Sequence, residues 1–580
     1  MKTFFRFTII VMLLVSFTNA YPQYTFSDVA PMLGVNDPGA AQGAVFLDVN
    51  NDGWLDIFLV NNNNQNKLWI NSNGDTYTES SAAWGVNATI PGRGLSCGDF
   101  NNDGFIDVMV GSWLSPIILY KNTGTAFVDC SSTAGVNFTG YGGAINWFDF
   151  NRDGRLDVLF ANNGMPPRYK YFFRNNDMLS FSNVAMTIGL SDSSSTLTVA
   201  TADYDNDGDL DVFLGTQSYP GSAFTSILYR NNGNSTFTEV TASSGITTNY
   251  YIWGAEWGDY NNDGNLDLFL ATTTGLFQLY KNNGNGTFTD VASTVGISDG
   301  ESGYSCAWLD YDNDGDLDLY IARGQSFPDR MYRNDGAMFT EVAASIGLND
   351  LQHSSCVTAG DFNNDGSVDL YVNNNGSANR LFRNSGGPNK WVIFNLKGVT
   401  SNRSAIGSRV TIKTGALRQI REVEGGSGGK GQNSLPLEFG IGSATIIDSV
   451  IVRWTNGLVQ RFANVNPNQI YNLVEGQPLG TENTAVNVPV KYSLEQNYPN
   501  PFNPTSKIKY QITKTQTGIQ TVKLAVYNSL GAEIAELVNG TQEPGTYEVS
   551  FDGSHYPSGV YFYKLTVGDY SETKKMTLIK

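Results

Sequence analysis

Apolar and polar residues alternate along most of the chain in short runs separated by Gly, Asn, Asp and Ser, the period-two pattern of half-buried β-strands. Between Asp259 and Asp310 the runs are LDLFLA, LFQLYKN, GTFTDV and a strand ending in CAWLD, punctuated by an Asn-Gly turn region and a Val-Gly-Ile bend. Four strands joined this way form one antiparallel sheet, with Asn-Gly pairs supplying the positive φ of tight hairpins. The same grammar recurs, and each copy carries an acidic loop. The loops are DVNNDGWLD from Asp48, DFNNDGFID from Asp99, DFNRDGRLD from Asp149, DYDNDGDLD from Asp203, DYNNDGNLD from Asp259, DYDNDGDLD from Asp310 and DFNNDGSVD from Asp361. They start 51, 50, 54, 56, 51 and 51 residues apart, slightly more than the usual period of a four-stranded propeller blade. The pattern predicts a seven-bladed β-propeller.

Two details sharpen that expectation. Phe46, Cys97, Trp147, Thr201, Trp257, Trp308 and Ala359 each stand two residues before a loop's first Asp; strand alternation puts them on one face, where they are expected to pack between blades. An FTDV-like strand precedes every loop, beginning with YTFSDV, while the final LFRN strand ending at Asn384 has no such partner after it. Pairing the first strand with the last would close the ring and remove its exposed edges.

Oxygen-bearing side chains occupy positions 1, 3, 5 and 9 of every loop, with Gly at 6. They are Asp48, Asn50, Asp52 and Asp56; Asp99, Asn101, Asp103 and Asp107; Asp149, Asn151, Asp153 and Asp157; Asp203, Asp205, Asp207 and Asp211; Asp259, Asn261, Asp263 and Asp267; Asp310, Asp312, Asp314 and Asp318; and Asp361, Asn363, Asp365 and Asp369. A hard cation such as Ca²⁺ takes six to eight oxygens, which alternate residues of a tight loop can supply together with the carbonyl of residue 7 and water. An EF-hand would need a bidentate Glu at position 12; here that position is Leu59, Val110, Phe160, Leu214, Leu270, Ile321 or Val372, which continues a strand. A metal-free Asx turn is the competing account of any single copy, and the sevenfold recurrence favours about seven structural Ca²⁺ ions.

Charge and composition agree. The formal net charge is -19, which opposes binding to nucleic acid or anionic lipid. About seven Ca²⁺ would add roughly fourteen positive charges and leave about -5, relieving most of the self-repulsion. At 580 residues the chain exceeds one core, so several domains are expected. Lys2 and Arg6, the apolar Phe7 to Phe17 stretch and Thr18-Asn19-Ala20 read as a signal peptide over residues 1–20. Nothing predicts a transmembrane segment in the mature chain. Cys97, Cys130, Cys306 and Cys356 are too few for a disulfide framework and are expected as small buried side chains.

The loop-plus-FTDV unit resembles the FG-GAP/VCBS repeats of integrin α-subunit propellers and of many exported bacterial proteins, over 21–387; the FG-GAP signature itself is mostly absent, so the copies read as VCBS-like. In that family the acidic loop binds calcium. NRSAIGSRVTIKTG, QIREVEGGSGGKGQNSLPLEFGIG and DSVIVRWTNG then resemble an ASPIC/UnbV domain over 388–475, with Thr455 where relatives often carry Pro. Alternation there predicts a small half-buried sheet. Trp391 to Leu396 is compatible with either this domain or propeller closure, and Arg403, Arg409, Arg421 and Glu424 read as solvated sheet-face charges or a polar site. A polar linker over 476–491 leads to LEQNYPNPFNPTSKIKY, VYNSLGAEI, GTYEVSFDG, SGVYFYKL and KKMTLIK, which resemble a type IX secretion (Por) sorting domain over 492–580, expected as a β-sandwich. That resemblance implies handling by the type IX machinery and a secreted or outer-surface location.

The chain has two histidines, His353 and His555, so His-rich zinc chemistry is excluded and a Ser-His-Asp apparatus in the mature body could use only His353. The reading leans away from an enzyme, towards a non-catalytic adhesion module for an extracellular protein or glycan, with Asn61 to Asn66 and the Tyr219 region as exposed candidates. A calcium-dependent polysaccharide lyase, or another carbohydrate-active enzyme on a propeller scaffold, is the alternative.

Overall fold

The computed structural model describes residues 24–163, 171–190, 194–217, 226–479 and 492–580, except 249, 274, 298–299, 301, 325–326, 337, 495, 513–519, 543–544 and 569. The expected signal peptide, the Tyr219 loop and most of the linker lie outside these residues.

The described chain is all-β apart from a few short helical turns, as the alternation predicts. In the fifth repeat Ile252–Gly258, Asp267–Thr272, Gln278–Asn282 and Phe288–Asp290 pair in sequence order, all antiparallel. The first two strands are buried almost throughout, whereas the three-residue outer strand buries only Phe288. The same four-strand order recurs in the other repeats, and the first two are fused because Asp56–Gln65 also pairs with Thr89–Gly98. In the last repeat Ser354–Gly360, Asp369–Asn374 and Arg380–Asn384 take their fourth strand from the start of the chain: Phe26 faces Asn384 and Asp28 faces Phe382. Arg380 ties this closure down through Asp28 at 2.8 Å.

The first strands pack side by side in chain order, and Ser354–Gly360 returns against Ala41–Leu47. Large aromatics fill the wedges between neighbours, as expected for the positions before each loop. Trp147 stacks on Phe100 of the preceding repeat at 6.2 Å, and Trp257 on Tyr204 at 5.9 Å. Cys97, Cys306 and Cys356 are buried, Cys130 partly so, and all four are free thiols.

The segment after the repeats forms two sheets rather than the single small sheet expected. One orders Leu437–Gly442, Lys390–Lys397 and Ile470–Val474; the other orders Leu417–Glu422, Arg409–Thr414, Ile447–Arg453 and Val459–Val465. Trp391 to Leu396 therefore belongs here, running parallel to Ile470–Val474. The core of this domain, including Val392, Val410, Phe439 and Trp454, is continuous with Phe100, Trp147 and Leu210 of the repeats. C-terminal strands Thr505–Ile512 and Gly545–Asp552 face a four-stranded sheet, Glu533–Gln542, Gln520–Tyr527, Gly559–Val567 and Tyr570–Leu578, around Ile508, Leu524 and Tyr563. No described helix is long and apolar enough to cross a membrane.

Candidate metal loops and the domain that covers them

Each acidic loop links the first strand of a repeat to the second, and its side chains fold inward because the backbone donates to them. In the first loop Asp48 accepts from the Asp52 N–H at 3.0 Å and the Gly53 N–H at 2.8 Å. Asn50 Oδ1 accepts from the Asp52 N–H, and Asp52 Oδ1 from the Trp54 N–H, both at 3.0 Å. Asp56 is fully buried and accepts from the Val49 N–H at 2.9 Å and the Asn71 N–H at 2.7 Å. Equivalent bonds hold Asp99 and Asp107, Asp259 and Asp267, and Asp310 and Asp318. The turn requires left-handed backbone at position 4 and at the following Gly but one, for example φ 56° at Asn51 and 85° at Gly53; Asn and Gly are the residues that adopt it most cheaply.

The loops are chained to one another. Asn51 Nδ2 donates to the Gly104 carbonyl at 2.9 Å, Asn102 to Gly154 at 2.9 Å, Asn262 to Gly315 at 3.1 Å, Asn313 to Gly366 at 2.9 Å, and Asn364 back to Gly53 at 3.0 Å. Arg152 and Asn206 complete the circuit through Asp207 and Asn265.

At position 5 some loops have a cation beside the carboxylate, as Lys121 beside Asp103 at 3.2 Å and Lys281 beside Asp263 at 3.6 Å. Asp203, at position 1, has Arg409 and Arg453 at 3.8 Å. At position 9, by contrast, burial dominates the electrostatics. Asp56, Asp107, Asp157, Asp211, Asp318 and Asp369 lie well above the usual carboxylate range because burial disfavours their charged form. Asp267 is pushed up to about 9 for the same reason, with Asp259 and Asp263 adding to the effect. The oxygens Asp203 Oδ1, Asp267 Oδ2, Asp312 Oδ1 and Asn363 Oδ1 are buried without a hydrogen-bond partner. Orphaned acceptors among clustered carboxylates are what a hard cation satisfies. Among the described residues, three carboxylates come within 4.8 Å only in the loops with Asp at position 3: Asp203, Asp205 and Asp211, and Asp310, Asp312 and Asp314. In the other five loops, which have Asn at position 3, no carboxylate triple closes to that distance among the described residues.

Sequence reading missed a second recurrent group, the Asn that ends each third strand. Asn282 Nδ2 donates to the Leu266 carbonyl at 3.1 Å within its own loop and to the Tyr204 carbonyl of the preceding loop at 2.8 Å, while its Oδ1 accepts from the Gly284 N–H at 2.9 Å. Asn71, Asn122, Asn175, Asn231, Asn334 and Asn384 repeat the clamp, Asn71 reaching across the closure to Phe362. The recurring LYxN-like endings were the available signal. Asn282→Ala is expected to destabilise the protein by about 3 kcal/mol, since two buried carbonyls lose their donor; urea denaturation measures this, and a change below about 0.5 kcal/mol, the scale of an ordinary surface substitution, contradicts the clamp.

The loop face is covered by the second domain. Ser404 Oγ accepts from the Asp99 N–H at 2.8 Å, the Arg403 N–H donates to Asn102 Oδ1 at 2.8 Å, and the Gly440 N–H donates to Asp310 Oδ2 at 3.1 Å. Arg409 is only 6% exposed; it pairs with Glu422 at 2.7 Å and donates to the Asp203 carbonyl at 2.6 Å. Arg421 lies over the Phe439 ring at 5.1 Å and is electrostatically coupled to Asp259 and Asp310, and burial followed by Glu422 lifts Glu424 to about 8. These side chains are thus interface groups rather than solvated sheet-face charges, because the domain's sheet edge packs directly on the loops.

From that interface the Gly-rich segment 425–434 enters the ring. The innermost strands have an unpaired edge, and this segment satisfies it: the Trp147 N–H donates to the Gly425 carbonyl at 2.8 Å, the Leu95 N–H to Lys430 at 3.1 Å, and the Cys97 N–H to Gln432 Oε1 at 2.7 Å. A Cβ at Gly425 would lie 1.9 Å from the Trp147 carbonyl oxygen, and one at Gly428 2.2 Å from that of Cys306, so only glycine fits this close approach.

Of the exposed candidates, Asn61 and Asn66 prove buried and only residues 63–65 of that run are exposed; the Asn61 N–H donates to Asn66 Oδ1, and its Nδ2 donates to the Gln65 carbonyl and to Asp37. His353 packs its ring 5.4 Å from Tyr304.

Sheets of this kind, each with one acidic hairpin, define a repeat-built β protein with a capping domain. The chain carries FG-GAP-like repeats, matched at residues 48–110, 99–160, 149–214, 221–270 and 259–321, an ASPIC and UnbV domain at 398–479, and a secretion system C-terminal sorting domain at 496–580. It is similar to cartilage acidic protein 1 of Mus musculus, 27% identical over 286 residues, 49% of this chain and 34% of that protein. The Homo sapiens protein of that name is 29% identical over 248 residues, covering 42% and 30% of the two chains. The chain thus spans about a third of the length of the curated relatives it matches. The sorting domain marks it for type IX export, to the cell surface or beyond.

Proposed function

We propose that this exported protein is a seven-bladed, calcium-stabilised propeller that acts as a non-catalytic binding scaffold for an extracellular protein or glycan. The observation that carries the calcium reading is the set of buried, partnerless carboxylate and amide oxygens at Asp203, Asp267, Asp312 and Asn363, in four of the seven acidic loops, with carboxylates converging most closely at Asp203, Asp205 and Asp211 and at Asp310, Asp312 and Asp314. A bound Ca²⁺ supplies the positive charge these oxygens need. Positions 1, 3, 5 and 9 of each loop supply the side-chain ligands, and the backbone donors to positions 1 and 9 hold them in place. The blade count is supported by the succession of first strands back to Ala41–Leu47.

The arrangement of faces supports the binding role. With the loop face taken up by the second domain, the opposite face is the one left for a ligand. The domain limits are proposed as 21–387, 388–475 and 492–580, following a signal peptide.

Calcium titration of the chelator-stripped mature protein, followed by calorimetry and metal analysis, is expected to give about seven ions per chain, with Asp211→Asn and Asp318→Asn each removing about one. A stoichiometry near zero would overturn the reading. Release of unsaturated sugar products from acidic polysaccharides would overturn its non-catalytic part.

A further inference from the structure

The two faces of the ring differ in chemistry. At the starts of the first strands, away from the acidic loops, a cavity of about 220 Å³ is lined by Arg93, Trp113, Asn163, Gln217, Trp253 and Lys430. This is below the ~300–1,000 Å³ of drug-sized sites and suits a single ring or end group. Its cations come from two domains. Arg93 belongs to the second repeat, whereas Lys430 is delivered through the ring by the Gly-rich segment.

Arg93 lies over the Trp113 ring at 4.8 Å, and the Lys430 ammonium over Trp253 at 5.0 Å. Both point donors at one acceptor, Gln42 Oε1, at 3.4 Å and 3.2 Å. Lys430 is 7% exposed, and Arg93 Nε is buried with no hydrogen-bond partner. Among the described residues no carboxylate forms an ion pair with either cation, although the chain as a whole carries a net charge of -19. Burial, and then Arg93, holds Lys430 down to about 8. Two neighbouring desolvated cations raise the free energy of the site until an anion joins them.

We propose that this pocket binds the acidic ring of a carboxylated or sulfated glycan, with Arg93 and Lys430 holding the anionic group and the indoles of Trp113 and Trp253 walling the ring. Indole walls with amide groups from Asn163 and Gln217 suit a flat, hydroxyl-rich ring; a compact cavity of this size does not suit an extended acidic peptide. The inference rests on the binding-scaffold reading and gives it a ligand class and a site.

The test titrates the calcium-loaded mature protein with D-galacturonate, D-galactose 6-sulfate, neutral D-galactose and a tetraglutamate peptide, reading tryptophan fluorescence and heat. Saturable binding of at least one acidic sugar is expected, with galactose roughly tenfold weaker or more, the scale of one charge-assisted hydrogen bond. Arg93→Gln and Lys430→Met should each weaken it by about tenfold at an unchanged melting temperature. Four results would overturn the site: binding of neither acidic sugar, equal binding of galactose, preference for the peptide, or undiminished affinity in both variants. Calcium stoichiometry on the same samples separates failure of this site from failure of the scaffold reading, since loaded loops with no sugar binding condemn only the pocket.

Discussion

Excess EGTA is expected to lower the melting temperature of the mature protein by on the order of 20 °C if the proposed calcium sites are filled. The estimate follows from about seven sites each contributing ~2.7 kcal/mol at a hundredfold excess over Kd, against an unfolding entropy of roughly 2 cal/mol/K per residue. Scanning calorimetry with and without calcium checks it; superimposable melts would remove calcium from the stability of the ring. The pH dependence gives an independent sign. In the metal-free chain Asp267 titrates at about 9 and Asp361 at about 8, both raised chiefly by burial. The folded chain then retains protons that the unfolded chain has released at an ordinary carboxylate value of about 4. Stability is therefore lost as pH rises between the two values. In EGTA the melt moves upward on going from about pH 8 to about pH 6; in calcium, which keeps the ligands ionised, acidification over the same interval gives no such gain.

The second large effect concerns the Gly-rich segment inside the ring. Gly428→Val places side-chain carbon where the Cys306 carbonyl already stands, at a backbone φ of 60° that a β-branched residue resists. The segment is expected to leave the channel. In the wild-type protein Lys430 is buried and its carbonyl is bonded to Leu95, so slow tryptic cleavage after it is expected under native conditions. In the variant, cleavage between Lys430 and Gly431 should become at least about tenfold faster, because local opening now limits protection far less. Mass spectrometry of timed digests reads the outcome, and an unchanged rate at that bond would show that the segment tolerates bulk and is not wedged.

Features with a local period were legible in the chain. Each acidic loop spells its own turn in nine residues, and the orphaned strand at each end announced the Phe26 to Asn384 pairing. The sorting tail was legible in its motifs, from NYPNPFNP to the terminal strand. The clamp by Asn282 was not read although its residue recurs, because its partner, the Tyr204 carbonyl, is a backbone atom of another repeat and leaves no trace in side-chain identity. Arg409 illustrates the opposite failure. Its strand alternates like any half-solvated sheet, and its burial arises only when that edge meets Asp203 and Asn206, some two hundred residues earlier. Asn61 and Asn66 misled for a related reason: a run of asparagines reads as surface, but in a tight hairpin the outer two turn inward to satisfy backbone groups.

The seam between Phe26–Asp28 and Arg380–Asn384 sets the order in which the molecule can mature. Arg380 and Asp28 are 352 residues apart, so Phe26–Asp28 has no sheet partner until the last repeat, whose Arg380–Asn384 already pairs with Asp369–Asn374, has been made. The entropic cost of that long closure is only about 2 kcal/mol more than closing a single repeat, but until it happens the nascent chain displays two raw β edges, each able to pair with a stranger. A chain truncated before Arg380 is therefore expected to keep Phe26–Asp28 unpaired and to associate through its open edges rather than close into a smaller ring.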